Sequence, residues 1–333
     1  MIVSFAIVAY NEDQTLPRLL SDLKEQDYPH DKIEVLLIDS MSTDNTKRLM
    51  DEFAAEGTDF RAVRVFENTV KTLPHGCNIM LENYTGDAVV RIDAHASIPS
   101  DFITKNVAVL QSGAMVCGGN RPNIIDDTSP WKNTLLAAEQ SLFGSSIASY
   151  RCSTEKREVP SVFHGMYRRE VYDTVGLYDE RLLRTEDNDM SCRIRRAGFT
   201  LWYDPSIVSY QHTRNSLSKM LKQKFLNGYW IGKTMGINPD CFSLFHFVPF
   251  AFVIAILFAA LFVVNGIAWP AILLAAAYGT AAVAMTVPSL LRRPFLWTNL
   301  LLPFLFAALH ICYGVGTLAG LLEMPFWLYK LNK

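Results

Sequence analysis

The C-terminal part of this 333-residue chain is almost free of charge. From residue 242 to the end, five side chains carry a formal charge: Arg292, Arg293, Glu323, Lys330 and Lys333. Three uncharged runs lie there, at residues 247–264, 267–291 and 294–322, and each approaches or exceeds the roughly 20 residues that cross a bilayer as a helix. Buried core helices are the alternative, but three such runs in succession favour a membrane region of about three spans over residues 242–333.

The residues before 242 hold most of the 31 basic and 33 acidic side chains and are slightly acidic overall. That balance does not indicate a nucleic-acid partner. The first ten residues are apolar but lack the basic flank and cleavage site of a signal peptide, so we interpret them as a strand. The six cysteines are scattered without metal-type spacing, which fits a reducing compartment. We therefore expect a cytoplasmic front domain on a multi-pass protein of the inner (plasma) membrane.

A cytoplasmic front domain sets the direction of the spans. The first would run outward and the second back, which places Arg292 and Arg293 on the cytoplasmic side, as the positive-inside tendency expects. A simple third span would put Lys330 and Lys333 outside, which is mildly unfavourable. Because the third run is long and contains proline and glycine, a kinked or re-entrant hairpin is the alternative there.

Apolar runs alternate with helix-like stretches in the front domain. The runs cover residues 2–9, 35–38, 62–66 and 88–92, and the helix-like stretches cover residues 15–25, 44–56 and 74–83. This order predicts an α/β domain over residues 1–215, with a Rossmann-like, doubly wound, mostly parallel sheet. Ligands of such sheets lie beyond the carboxyl ends of the strands. Polar side chains follow three of the predicted strands: Asn11 and Glu12, Asp39, and Asp93 with His95.

Asp93 and His95 stand two positions apart at the end of the fourth run. In extended backbone such residues point the same way, so they could hold one divalent ion between them. An oxygen and a nitrogen ligand favour manganese over magnesium. A loop without metal is the alternative for so short a motif. No glycine-rich phosphate loop follows the first strand, which disfavours a dinucleotide oxidoreductase or a P-loop kinase.

Four short segments, in this order along the chain, carry a resemblance to a known family. They are Val8-Ala9-Tyr10-Asn11-Glu12, Asp39 with Ser42-Thr43-Asp44, Asp93-Ala94-His95 and Thr185-Glu186-Asp187. Over residues 3–214 the chain resembles the inverting family 2 glycosyltransferases of GT-A fold. With its apolar tail it is most similar to bacterial exopolysaccharide, succinoglycan-type membrane glucosyltransferases. Two departures are Ser40 and Met41, where the family usually has an acid and a glycine, and His95, where it usually has an acid.

The resemblance implies transfer of a hexose from a UDP-sugar to a polyprenyl-diphosphate-linked saccharide, assisted by a divalent cation. It implies that Asp187 is the catalytic base and that Glu186 orients the loop or binds the acceptor. Nucleotide-sugar contacts are expected from strand ends and nearby loops: Ala9, Tyr10, Asn11, Glu12, Asp39, Ser42, Asn68, Lys71, Asp93 and Arg214. His164 and Gly165 are expected beside the donor sugar and acceptor, and His212 is a candidate third metal ligand with Asp93 and His95.

The segment 216–241 is basic and amphipathic. Its leucine, methionine and aromatic side chains interleave with Lys219, Lys222, Lys224 and Lys233. Such a stretch can lie in the membrane interface and attract anionic headgroups of membrane lipids. An ordinary surface helix is the alternative.

Two other functions stay open at this point. A processive polysaccharide synthase is disfavoured because the short sequence from Gln211 to Asn215 lacks the tryptophan of a Gln-x-x-Arg-Trp motif. A non-catalytic nucleotide-sugar-binding membrane protein is disfavoured because acids stand at both the metal and the base positions.

Overall fold

The computed structural model describes residues 1–56, 59–144, 154–212, 216–292 and 294–331. The chain divides into two compact units. The first comprises Met1–Pro122 and Ser149–His212, and the second comprises Asn123–Ala148 and Thr213–Lys333.

Four of the strands, β1 to β4, follow the predicted apolar runs closely. In chain order they are β1 Val3–Ala9, β2 Ile33–Asp39, β3 Ala62–Glu67, β4 Ala88–Asp93, β5 Ala96–Ser97, β6 Val116–Asn120, β7 Asn123–Ile124, β8 Arg157–Val159, β9 Met166–Arg168, β10 Leu201–Val208 and β11 Tyr210–His212. Among the described residues, eight of them form one sheet in the order β3-β2-β1-β4-β9-β6-β10-β8. The pairs β3/β2, β2/β1, β1/β4 and β6/β10 are parallel. The pairs β4/β9, β9/β6 and β10/β8 are antiparallel. The predicted mostly parallel α/β sheet is therefore confirmed.

The helices of the first unit cover both faces of this sheet. They are α1 Leu16–Lys24, α2 Thr46–Ala55, α3 Leu73–Asn83, α4 Phe102–Gln111, α6 Arg169–Val175 and α7 Glu186–Arg196, with a short 3-10 helix at His30–Lys32. One core lies between β-strand residues such as Phe5 and Ile7 and the apolar sides of α1 and α4. The other joins the opposite side of the strands to α3 and α7. Burial on both faces explains why the strands are nearly continuous apolar runs.

The second unit is a bundle of helices. They are α5 Pro130–Gln140, α8 Leu217–Thr234, α9 Val248–Val264, α10 Trp269–Leu291 and α11 Leu302–Leu331, with 3-10 helices at Pro239–Cys241, Leu244–Phe247 and Trp297–Leu301. Among the described residues, three segments are long and apolar enough to cross a membrane: Leu244–Val264, Trp269–Leu291 and Trp297–Leu331. The third apolar run forms one continuous helix, α11, and not a hairpin.

Residues 123–148 group with the apolar helices and not with the sheet, which differs from the predicted division at residue 215. The reason is packing. Leu135 and Ala138 of α5 are buried in one cluster with Leu302, Leu305 and Phe306 of α11. Within the basic amphipathic segment 216–241, α8 packs along α11 over much of its length.

Candidate functional site

The carboxyl ends of β1, β2 and β4 meet at one edge of the sheet. The register sets Ala9 of β1 beside Asp39 of β2 and Val8 of β1 beside Asp93 of β4. The predicted gathering of polar side chains at these strand ends follows directly from parallel pairing. Asp39 and Ala9 are buried, whereas Tyr10 is half exposed.

The loops after β1 and β2 are bonded to each other. The Asn11 backbone N–H donates to Ser42 Oγ at 3.0 Å, and the Thr43 N–H donates to Asn11 Oδ1 at 2.8 Å. The Ser42 N–H in turn donates to the Asp39 carboxylate at 3.2 Å. These contacts join the two predicted nucleotide-binding segments into one surface.

The loop after β3 is held by a buried asparagine side chain. Asn68 is fully buried, and its carboxamide donates to Ser40 Oγ at 3.0 Å and to the Thr72 carbonyl at 2.8 Å. Its oxygen accepts from the Lys71 N–H at 3.1 Å. Asn68 therefore holds the loop after β3, and Lys71 is exposed at its tip.

Strained backbone is concentrated around this edge. Among the described residues, the non-glycine residues with positive φ are Asn11, Met41, Lys71 and His164, with φ of 54°, 59°, 63° and 48°. Met41 occupies the position where the resembling family has glycine, the residue that adopts this conformation without cost. Such strain clusters at functional sites, where the surrounding structure holds it in place.

Arg91 lies between Asp93, the predicted metal ligand, and Asp187, the predicted catalytic base. Its guanidinium Nη1 lies 3.4 Å from Asp93 Oδ1, and its Nη2 lies 3.4 Å from Asp187 Oδ2. Arg91 and Asp93 share a face of β4 because they stand two residues apart. The Asp187 side chain keeps 41 % of its surface exposed, so it faces both the arginine and open space. No role was assigned to Arg91 from the sequence.

Asp93 is held ionised by its neighbours. Burial alone would raise its pKa, but Arg91 and His164 hold the pKa of this carboxyl well below its usual range. His164 Nε2 lies 3.5 Å from Asp93 Oδ2, and His164 Nδ1 lies 2.9 Å from Ser209 Oγ. Burial lowers the pKa of His164 to about 4, so the ring is neutral at pH 7. His164 therefore supports Asp93, and it also lines a small cavity with Gly165, Arg91 and Asp187.

Gly165 follows His164, and neighbouring residues pack closely against its Cα. A Cβ at this position would stand 2.6 Å from Val162 Cγ2 and 3.0 Å from the Cys117 carbonyl oxygen. The close packing at this position therefore leaves no room for a side chain.

His95 pairs with a carboxylate. Its Nδ1 lies 3.3 Å from Glu12 Oε1, and the ring keeps 29 % of its surface exposed. A metal-binding histidine commonly has its second ring nitrogen on a carboxylate, which orients the ring. His212 is placed differently: its Nε2 lies 2.8 Å from Ser97 Oγ and 3.0 Å from Arg18 Nη1. No group of three or more potential metal-ligating side chains gathers in the described part of the chain, so the predicted triad with His212 is not assembled.

Arg121 is a further buried cation that sequence reasoning missed. It directly follows β6, and its guanidinium carbon lies 3.4 Å from the centre of the Phe163 ring. Its side chain also contacts the Gln211 carboxamide. Its position after a strand of the same parallel sheet was the available signal.

Glu186 and Asp187 begin α7, as predicted. Three acids lie in the first turn and three arginines in the last, which favours the helix dipole. Glu186 shares a face with Met190 and Ile194, so its side chain is buried and its Oε2 has no hydrogen-bond partner among the described residues. Burial and the neighbouring Asp187 raise the pKa of Glu186 to about 8. Burial also raises the pKa of Asp187, opposed by Arg91.

A family model for "Glycosyl transferase family 2" matches residues 4–176, just over half of the chain. The chain belongs to glycosyl transferase family 2. Among its relatives is the dolichyl N-acetyl-alpha-D-glucosaminyl phosphate 3-beta-D-2,3-diacetamido-2,3-dideoxy-beta-D-glucuronosyltransferase of Methanococcus voltae, 25 % identical over 77 % of this chain and 80 % of that one. Another is the succinoglycan biosynthesis protein ExoA of Rhizobium meliloti, 25 % identical over 68 % of this chain and 67 % of that protein.

Solved structures agree on the fold of this glycosyltransferase. The mannosyltransferase PcManGT from Pyrobaculum calidifontis, in complex with GDP-Man and Mn2+, aligns with a TM-score of 0.60 at 22 % identity, covering 95 % of this chain and 87 % of that one. The Staphylococcus aureus TarS 1–349 structure aligns with a TM-score of 0.53 at 15 % identity, covering 100 % of this chain and 92 % of that one. The predicted GT-A fold is confirmed, and the chain is an enzyme of this family. The predicted nucleotide ligand Arg214 lies outside the described residues.

The buried acid of this glycosyltransferase predicts a pH-dependent stability. Because the pKa of Glu186 is raised from 4.5 to about 8, the folded protein keeps a proton that the unfolded chain releases between these values. The free energy of unfolding should therefore fall as the pH rises from about 4.5 to 8 and level off above it. Glu186→Gln, which mimics the neutral acid, should show a gain in Tm over the wild type that grows from pH 5 to pH 8.

Intrinsic fluorescence melting of the detergent-purified full chain would measure this difference. Glu170→Gln, at an exposed position in the first turn of α6, is the matched control and should follow the wild-type curve. Parallel curves for wild type and Glu186→Gln would contradict the neutral form of the buried acid.

Proposed function

We propose that this enzyme transfers a hexose, with inversion, from a UDP-sugar to a polyprenyl-diphosphate-linked saccharide in exopolysaccharide or cell-surface glycan synthesis. The observation that carries the proposal is the Asp93–Arg91–Asp187 arrangement at the carboxyl edge of the sheet. Asp93, which is held ionised, suits binding of the donor. Asp187, which is partly exposed, suits contact with the acceptor.

Asp187 is assigned as the base. Inverting displacement requires the acceptor hydroxyl to lose a proton as it attacks the anomeric carbon from the face opposite the leaving group. Asp187 has the exposure to receive that proton, and its raised pKa strengthens it as a base. Arg91 keeps the carboxylate oriented between turnovers. Glu186, neutral and buried behind it, supports the first turn of α7.

The donor side suits a divalent cation. Asp93 is ionised and partly exposed, and His95 is oriented by Glu12 as a metal-binding imidazole usually is. When bound, the cation would stabilise negative charge on the diphosphate leaving group. The oxygen and nitrogen donor set favours Mn²⁺ over Mg²⁺. Asp39, Asn11 and Ser42 would contact the nucleoside, and the exposed Lys71 would contact its phosphates.

A lipid-linked acceptor is supported by the apolar helices and by the relatives. The second unit offers three segments apolar enough for a bilayer, and the Methanococcus voltae relative is named for a dolichyl phosphate saccharide. We place the enzyme in the inner membrane with its catalytic unit in the cytoplasm.

Turnover of a donor panel would test this function. Detergent-purified full chain should release UDP from one UDP-sugar in the presence of Mn²⁺ and a short-chain polyprenyl-diphosphate saccharide, and the product should carry one added hexose. Release of GDP or TDP from the matching donors, with none from any UDP-sugar, would contradict the donor class. A polymeric product would identify a processive synthase instead.

Metal dependence offers a separate prediction. Glu12→Gln should raise the Mn²⁺ concentration for half-maximal activity by about 10- to 100-fold, because the imidazole of His95 loses its orienting carboxylate. Activity titrations with Mn²⁺ after EDTA treatment would measure the shift. Glu25→Gln, at an exposed position just after α1, should titrate like the wild type. An unchanged midpoint for Glu12→Gln would remove His95 from the metal site.

A further inference from the structure

α8 and α11 lie side by side and run in the same direction. A Cβ at Gly228, Gly232 or Gly236 of the segment that begins with α8 would collide with α11 at residues 313–317, 317–321 and 324–328 in turn. In the reverse sense, a Cβ at Gly316 or Gly320 would collide with the α8 backbone. Small residues on both helices therefore permit close parallel packing.

Charged side chains mark both ends of this helix pair. At one end, Lys219 and Lys222 of α8 are exposed, and Met220 between them packs in the cluster of Leu305 and Leu309. At the other end, Lys233 Nζ lies 3.1 Å from Glu323 Oε1, whose side chain is half exposed. Aromatic rings surround this second pair: Tyr229, Trp230 and Trp327 lie 4.7, 5.2 and 5.1 Å from Lys233 Nζ.

The distance between these charged ends is too short for a bilayer. Glu323 follows Leu309 by 14 residues, which is about 21 Å along a helix axis. The hydrocarbon core is about 30 Å thick. An upright α11 would therefore carry either the exposed lysines of α8 or the half-exposed Glu323 into the hydrocarbon, where charged side chains are unfavourable.

The remaining surface of α11 has the form of an interfacial helix. Seven large apolar side chains are exposed along it: Phe304, Ile311, Val315, Leu322, Phe326, Tyr329 and Leu331. At 3.6 residues per turn the first six fall within about 40° of one line along the helix, whereas Leu331, in the last turn, lies on the opposite side. The opposite side, including Leu305, Phe306 and Leu309, is buried against the other helices of this unit.

We infer that α11 does not cross the membrane but lies with α8 in the interface, its apolar stripe toward the acyl chains and Lys219 and Lys222 toward anionic headgroups. α9 and α10 then form the membrane-crossing hairpin, and Asn265 marks its far tip. The C-terminus lies on the same side as the catalytic unit, so Lys330 joins Arg292 there, in accord with the positive-inside tendency. This inference concerns topology alone and stands apart from the transferase activity.

Accessibility from the two sides of the membrane tests the topology. Epitopes at the N- and C-termini of the full chain should be digested by protease from the same side of oriented vesicles, and Asn265→Cys should react with an impermeant maleimide from the opposite side. Termini on opposite sides would overturn the inference.

Immersion depth separates an interfacial helix from a re-entrant one. Spin labels at Phe304→Cys, Val315→Cys and Phe326→Cys would be compared by collision with oxygen and with a water-soluble nickel chelate. Replacing Cys152 and Cys312 by serine leaves four buried cysteines as background. We expect three similar depths. The first and last labels are 22 residues apart, so a crossing helix would separate them by about 33 Å along its axis, and depths that change along α11 would overturn the inference.

Discussion

Asp187→Asn should lower turnover by about 10²- to 10⁴-fold while donor binding stays near its wild-type level. The amide keeps the size of the side chain but cannot take a proton from the acceptor hydroxyl. Asp93, His95 and the loops after β1 and β2 are unchanged in this variant, so the nucleotide surface is retained. The effect should therefore appear in kcat and not in KM for the donor.

Transfer rates with saturating acceptor, together with calorimetric donor titration, would separate the two quantities. Asp173→Asn, on an exposed turn of α6, is the matched control and should transfer sugar at the wild-type rate. Full activity in Asp187→Asn would remove Asp187 as the base. Loss of donor binding with loss of activity would show that this acid holds the nucleotide sugar instead.

Arg91→Met should cause the largest loss of stability of any single change at the site. The arginine side chain is 12 % exposed and faces Asp93 and Asp187, at 3.4 Å each. Removing one partner of a buried pair leaves uncompensated charge and typically costs about 3–5 kcal/mol. Arg91→Lys keeps the charge but loses the two-pronged geometry, so it should fall between wild type and Arg91→Met.

A double substitution makes the Arg91 prediction specific. Adding Asp187→Asn to Arg91→Met removes one of the two stranded carboxylates, so the double variant should unfold at a higher temperature than Arg91→Met alone. Chemical or thermal melting of the four proteins gives the coupling free energy. If the losses of unfolding free energy in Arg91→Met and Asp187→Asn add in the double variant, Arg91 does not stabilise the protein through Asp187.

Local patterns predicted the strands and helices around the site well. β1, β2, β3 and β4 begin and end within about two residues of the predicted runs, and α7 begins at Glu186 as expected. Alternation of apolar runs with amphipathic stretches is a property of neighbouring residues, so a sequence carries it directly. β9 was not predicted, because three residues that pair antiparallel with Ala88 and Val116 have no local mark of such distant partners.

Long-range contacts explain what the sequence did not predict at the site. The Arg91–Asp187 contact joins residues 96 positions apart, and the His164–Ser209 contact joins residues 45 apart. Asn68 illustrates a second limit of the sequence. A carboxamide can bind a nucleotide or hold a loop through hydrogen bonds, and the sequence does not show that this side chain is completely buried. The grouping of α5 with α11 has the same origin, since nothing in the composition near residue 123 marks a change of unit.

The glycine-lined contact of α8 with α11 has a consequence for biosynthesis. α8 ends at Thr234, and its partner begins at Leu302, so the ribosome completes α8 and the whole α9–α10 hairpin before α11 exists. Until then the small-residue face of α8 and the aliphatic part of Lys233 lack their native cover. The helix pair therefore closes last in the assembly of this unit, and α8 exposes its small-residue face throughout that interval.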